Sequence, residues 1–137
     1  MYERSPTLPA LAAFGLVALL GCSADTTGLV TLSVAEVAEV LAADVTICDA
    51  NTVETRAKLG VIPGAVLLSS YNDYAASELP ADPDRRLIFY CYNPMCSSAA
   101  DAARKAIEDG HGQVAIMPEG IQGWLGAEQP VLRPEAS

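Results

Sequence analysis

The chain has 137 residues, 8 basic and 17 acidic, for a formal net charge of −9 at pH 7. No stretch clusters Lys and Arg, which excludes a nucleic-acid footprint or a basic patch for anionic lipid, and a hydrophobic content of 51% is too high for a disordered chain. This length holds a single domain, not a multidomain enzyme or a long repeat array.

Residues 5–21 carry no charge, and between Leu8 and Leu20 only Pro9 and Gly15 interrupt the apolar side chains. The run falls short of the ~20 apolar residues of a comfortable transmembrane helix and has the length of a signal-peptide core. It ends in Leu19-Leu20-Gly21-Cys22, which resembles the bacterial lipoprotein cleavage box, although Tyr2-Glu3-Arg4 lacks the usual positive excess. The resemblance implies lipidation of Cys22, cleavage before it and acylation of the new amino terminus. Two or three acyl chains give stable anchoring where one is marginal. An ordinary secretory signal, in which Cys22 has no role, is the alternative. Residues 1–21 are thus read as a lipoprotein signal peptide and 22–28 as a short flexible tether of small polar residues. The exported part is expected on the cell envelope, lipid-anchored and facing the periplasm. Ser23 after Cys22 resembles the signal for outer-membrane delivery where the host has two membranes.

A globular domain is expected over residues 29–132, with a tail over 133–137. Leu29 to Leu32 is a short apolar strand, and Ser33 with Glu36 makes a capping box for a helix over 34–43. Val45 to Cys48 is a second buried strand, ending at Asp49. Thr52 to Leu59 reads as a short helix stopped by Gly60, and Ala65 to Leu68 as a third strand after the Pro63-Gly64 turn. The polar stretch 69–86 is expected to hold one short helix near Tyr71–Ser77. Leu87 to Tyr90 is almost uniformly apolar, as a central parallel strand should be. A loop, Cys91 to Cys96, leads into a helix from Ser97 to Glu108, with a capping signature at Ser98 and Asp101. Its buried face is expected at Ala99, Ala100, Ala103 and Ile107. Val114 to Met117 is a fifth strand, and Gly120 to Leu125 a final short helix in which Trp124 packs as core. Strands alternating with helices argue a parallel sheet covered by helices. Ligands in such folds bind beyond the carboxyl ends of the strands, where Cys91 sits.

Several landmarks in order resemble the rhodanese-like sulfurtransferase domain. They are Asp49, Ile62-Pro63-Gly64-Ala65, Glu78-Leu79-Pro80, Tyr90-Cys91 with Ser97-Ser98-Ala99-Ala100, and Glu119-Gly120-Ile121-Gln122-Gly123-Trp124. The resemblance implies a three-layer α/β/α sandwich with a five-stranded parallel sheet in the order 1-5-4-2-3, and a catalytic cysteine, here Cys91, that carries sulfane sulfur as a persulfide. The substrate loop is then Tyr92, Asn93, Pro94, Met95, Cys96 and Ser97. Converging backbone N–H groups and the following helix would stabilise a thiolate there.

Three departures bear on the chemistry. Many rhodaneses end the loop in arginine, where Cys96 stands here, and no Lys, Arg or His lies between Phe89 and Asp101. Pro94 has no N–H to offer. Asp49 is followed by Ala50-Asn51, where active relatives often carry an arginine. Activity with thiosulfate is therefore not expected to be strong, and a phosphatase reading of the same fold lacks its phosphate-clamping arginine.

With Cys22 lipidated, Cys48, Cys91 and Cys96 remain in an oxidising compartment. Cys96 is a candidate resolving or disulfide partner of Cys91, and Cys48 reads as a buried small hydrophobe. The rival reading is a non-catalytic or redox-sensing module with a reversible Cys91–Cys96 disulfide. Asp49 is a candidate for orienting the loop by accepting its N–H groups, and His111, between two glycines, reads as an exposed linker residue. Met95 beside two cysteines resembles a soft-metal set, but without a histidine or a CxxC spacing no metal site is expected. No cofactor is implied. The expected partners are a small sulfur donor or thiol acceptor, or a periplasmic protein, with the membrane reached through the lipid.

Overall fold

The computed structural model describes residues 24–134. The signal peptide expected at 1–21, the lipidation site Cys22 and the end of the tail lie outside the described residues. Five strands run in parallel: β1 (Val30–Thr31), β2 (Val45–Asp49), β3 (Val66–Leu67), β4 (Arg86–Tyr90) and β5 (Val114–Ile116), in the spatial order β1-β5-β4-β2-β3. The helices are α1 (Val34–Val40), α2 (Val53–Leu59), α3 (Ser98–Glu108) and α4 (Gly120–Gly126). Among the described residues, no helix is long and apolar enough to cross a membrane.

Side-chain alternation divides the core into two layers. Cys48, Leu87, Phe89 and Ile116 face α3, whose Ala99, Ala102, Ala103 and Ala106 present methyl groups and let the helix lie close to β4 and β5. Ile47, Ile88, Tyr90, Ala115 and Met117 face the other way, toward Val34 and Val37 of α1, Leu59 of α2, and Ile121 and Trp124 of α4. Helices therefore cover both faces of the sheet, as in an α/β/α sandwich.

The helix ends follow local chemistry. Ser33 accepts from the Glu36 N–H at 3.2 Å and donates to the Glu36 carboxylate at 3.1 Å. Thr52 caps α2 by accepting from the Thr55 N–H at 3.2 Å, and Gly60, at φ 83°, stops it.

Three local expectations need correction. The helix near Tyr71–Ser77 is only a 3-10 turn at Ala76–Glu78. Glu78 organises that segment from its side chain, accepting from the Ser69 N–H at 2.8 Å, the Ser69 hydroxyl at 2.7 Å and the Ala75 N–H at 2.7 Å. Those bonds, led by the Ser69 N–H, hold its carboxyl below the usual range. The capping signature at Ser98 does not form, because Ser97 takes the N-cap position and its side chain makes no cap bond. Ile107 is 45% exposed. Two steps of four residues from Ala99 carry the stripe about 80° around the helix, whereas seven residues return within about 20° of the starting face. Ala106 fills that place instead.

Candidate active site

β2 and β4 are neighbours, with Asp49 opposite Tyr90 in register. The next residue of each chain segment, Ala50 and Cys91, therefore stands beyond the carboxyl edge of the sheet centre, where ligands bind in this class of fold. Cys91 is 3% exposed, and Cys96 is half-buried beside it. The structure joins the two as a disulfide, with their Cα atoms 6.4 Å apart.

In this closed loop two backbone donors are satisfied locally. The Cys96 N–H donates to the Asn93 carbonyl at 3.0 Å, closing a turn around Pro94 and Met95, and the Met95 N–H donates to the Asn93 side-chain oxygen at 3.0 Å. Neither N–H is turned on the Cys91 sulfur. The Cys96 carbonyl lies 3.3 Å from Cys91 Sγ, placed to accept a thiol proton after reduction. Tyr92 and Asn93 are tied to α4 through Gln122, which donates to the Tyr92 hydroxyl at 3.0 Å and accepts from Asn93 Nδ2 at 3.3 Å. Pro94, Met95 and Ser97 are exposed, Met95 by 66%.

The floor of the loop is held by two elements. Asn51 Nδ2 donates to the Cys91 carbonyl at 3.1 Å. The first turn of α4 supplies the Ile121 N–H to the same carbonyl at 2.9 Å and the Gln122 N–H to the Tyr92 carbonyl at 3.0 Å.

Asp49 does not accept N–H groups from the cysteine loop, in contrast to the expectation. It is fully buried. One carboxylate oxygen accepts the Asn51 N–H at 2.8 Å and Arg56 Nε at 3.1 Å, and the other accepts the Tyr90 hydroxyl. Arg56 also donates to the carbonyls of Asp49 at 3.0 Å and Leu68 at 2.9 Å. The Tyr90 hydroxyl in turn accepts the Ile62 N–H at 3.1 Å. Burial, reinforced by the Asp49 charge, keeps the Tyr90 hydroxyl protonated well above the usual tyrosine range. Asp49 thus reaches the loop through Asn51, and Arg56 is the residue that sequence reasoning missed. Its one sequence signal is the three-residue spacing to Leu59, which puts both on the inward face of α2.

Cys48 is the remaining thiol among the described residues and is fully buried. Burial, then the Asp49 charge, pushes it up to about 12, so it stays a protonated, inert thiol at neutral pH. After reduction, iodoacetamide at neutral pH should label Cys91 and Cys96 well before Cys48. Peptide mapping checks this, and equal labelling of Cys48 would remove the distinction.

Residues expected to be a flexible tether make specific contacts. The Ala24 N–H donates to the Pro94 carbonyl at 2.8 Å, and Arg104 of α3 donates to the Asp25 carbonyl at 3.0 Å and the Thr27 carbonyl at 3.2 Å. Ala24 and Thr26 join Cys91, Pro94, Cys96 and Pro118 around a mostly apolar cavity of about 10 Å³, room for about one water. The segment covers one side of the cysteine pair. Arg104→Ala should therefore speed disulfide reduction by glutathione about threefold or more, followed by mass spectrometry of quenched samples. An unchanged rate would show that the segment does not limit access.

His111 is half-buried rather than an exposed linker residue, and its Nδ1 is shielded without a partner among the described residues. It precedes β5, at the opposite end of the sheet from Cys91. Trp124 is fully buried and donates to the Pro130 carbonyl at 2.9 Å, pinning the chain beyond α4. Among the described residues no three His, Cys, Asp or Glu side chains are grouped to hold a metal ion.

A parallel α/β/α sandwich with a cysteine between its central strand and an alanine-faced helix defines a recognisable class. The family model for the rhodanese-like domain matches residues 33–127, and the chain belongs to that family. A protein of unknown function from Rhodopseudomonas palustris, described as a possible tyrosine phosphatase, is 26% identical, with a TM-score of 0.60 over 76% of this chain and 85% of that one. A thiosulfate sulfurtransferase from Pseudomonas aeruginosa is 23% identical, with a TM-score of 0.62; the match covers 79% of this chain but only 21% of that protein. A human single-domain sulfurtransferase is 21% identical, with a TM-score of 0.57 over 72% of this chain and 97% of that one. The latter two likenesses show a shared fold. No curated protein matches the chain significantly.

Proposed function

We propose that the domain is a thiol-based sulfur carrier in which reduced Cys91 accepts sulfane sulfur as a persulfide and passes it to an acceptor thiol. The position of Cys91 carries this reading: a strand-end cysteine at the centre of the sheet, directly before α3, where the family places its sulfur-bearing residue. The Cys91 thiolate attacks the outer sulfur of a donor persulfide, the donor's thiolate leaves, and an acceptor thiolate later takes the same sulfur. The loop 89–101 offers no Lys, Arg or His, and Arg56 is committed to Asp49. A neutral or thiol-bound donor therefore suits the site better than thiosulfate, and the same lack of a cation weighs against phosphate chemistry.

Reduced Cys96→Ser protein incubated with glutathione persulfide should gain one sulfur on the Cys91 peptide, and Cys91→Ser should gain none. The Cys91–Cys96 disulfide favours a second reading, a thiol–disulfide redox module. In that case the loop cycles between dithiol and disulfide and no variant takes up sulfur.

We infer further that Cys22 is lipidated and holds the domain on the periplasmic face of a membrane, on the strength of the uncharged run ending in Leu19-Leu20-Gly21-Cys22. Wild-type protein should partition into detergent, whereas Cys22→Ala should remain as precursor or as soluble protein. Soluble wild-type protein without lipid mass would contradict this.

A further inference from the structure

We propose that Cys96 resolves the Cys91 persulfide inside the loop, releasing hydrosulfide and leaving the Cys91–Cys96 disulfide. This rests on the reading of Cys91 as a sulfur acceptor and gives the captured sulfur a second fate, reductive release instead of transfer.

The two sulfurs are already partners in the structure, from Cα atoms 6.4 Å apart. No rearrangement of the chain is needed to bring Cys96 Sγ onto Cys91 Sγ. In the persulfide, the Cys96 thiolate attacks the inner sulfur, which is Cys91 Sγ. The bond between the two cysteine sulfurs forms as the bond to the outer sulfur breaks, and the outer sulfur leaves with that electron pair and its proton as hydrosulfide. The sulfane sulfur is reduced by two electrons and the cysteine pair is oxidised by two. Atoms and charge balance with no further oxidant.

Two features of the loop favour this outcome over a long-lived persulfide. The N–H groups of Met95 and Cys96 are spent on Asn93, Pro94 has none, and no Lys, Arg or His stands in the loop. An anionic outer sulfur therefore loses three of the loop's backbone donors and meets no countercharge there. The cavity beside Cys91 is about 10 Å³ and mostly apolar, so the extra sulfur has little room and few polar contacts. Attack within one loop also outruns attack by a dilute thiol, because the effective concentration of a well-placed neighbour is very high. Reopening the site then requires thiol–disulfide exchange with a dithiol or with two monothiols, so the reaction that serves this domain must deliver two reducing equivalents per sulfur released.

The test compares reduced wild type, Cys96→Ser and Cys91→Ser, each given one equivalent of glutathione persulfide without added thiol. Released sulfide and intact mass are followed together. Wild type should release close to one sulfide per chain, at least tenfold faster than Cys96→Ser, and end two hydrogens lighter with no sulfur retained. Cys96→Ser should hold the one-sulfur adduct on Cys91, and Cys91→Ser should do neither. A wild type that keeps the one-sulfur adduct, without sulfide or disulfide, overturns the resolving role and leaves the carrier reading intact. A glutathionyl adduct on Cys96→Ser in place of the one-sulfur adduct also overturns it, since the sulfide would then come directly from the donor. No adduct on Cys96→Ser sinks the carrier reading itself.

Discussion

Arg56→Ala should destabilise the domain by about 3–5 kcal/mol, the range for removing one partner of a buried ion pair. Asp49 is fully buried, and Arg56 is the cation that faces it, with Nε 3.1 Å from the carboxylate. The truncation strands more than a charge. The carbonyls of Asp49 and Leu68 lose the guanidinium donor they share, and these lie at the ends of β2 and just beyond β3. The Tyr90 hydroxyl and the Asn51 N–H would remain on Asp49, so the carboxylate keeps two hydrogen bonds but no countercharge. Denaturant unfolding should show a lower midpoint with an unchanged slope. Combining Arg56→Ala with Asp49→Asn should recover part of the loss, because the uncompensated charge is then gone. A loss under about 1 kcal/mol for Arg56→Ala would mean that water reaches Asp49, and that the network does not hold the strand ends together.

Gly120→Ala should cost about 2–5 kcal/mol and also disturb the cysteine loop. Gly120 has φ 62°, a left-handed conformation that costs a side-chain-bearing residue about 1–2 kcal/mol. A methyl group there would stand 2.6 Å from the backbone carbon and oxygen of Tyr92 and 2.7 Å from the Cys91 carbonyl oxygen. These are backbone atoms of the loop, not ends of side chains that can swing away, and overpacking of this kind adds about 1–3 kcal/mol. Relief requires α4 to draw back, which weakens the Ile121 and Gln122 N–H bonds to the Cys91 and Tyr92 carbonyls. Both readouts should move together: a lower unfolding midpoint, and slower closure of the Cys91–Cys96 disulfide after reduction. Stability within about 0.5 kcal/mol of wild type with unchanged closure would show that the loop yields freely, and that α4 does not set its position.

The strands were legible because β2, β4 and β5 are short apolar runs bounded by turn residues, and Ser33 and Thr52 announce the helices they cap. The polar stretch before β4 was less so. Its order comes from one Glu78 carboxylate reaching back to Ser69, a tertiary-scale hydrogen bond that no periodicity records. Ile107 leaves the expected inward face of α3 because a four-residue stripe drifts around the helix, while the sheet selects Ala102 and Ala106. Cys91 could be read from the sequence because a cysteine between an apolar strand and a small-residue helix has a defined place in a βα unit. Its closeness to Cys96 was open to inference, but the use of the Met95 and Cys96 N–H groups was not, since it depends on the Asn93 turn. Arg56 was not legible as part of the site because its partners, the carboxylate and carbonyl of Asp49 at the end of β2 and the Leu68 carbonyl just beyond β3, are brought together only by the fold. The contact of Ala24 with Pro94 joins positions far apart in the chain, which local reading cannot connect.

The most direct measurement is the intact mass of reduced Cys96→Ser protein after exposure to glutathione persulfide, with the modified peptide then sequenced. The expected result is a gain of one sulfur confined to Cys91, with Cys48 unmodified because its thiol is buried and protonated. No gain, or a gain found equally on Cys48, would contradict the account of Cys91 as the residue that takes up sulfur.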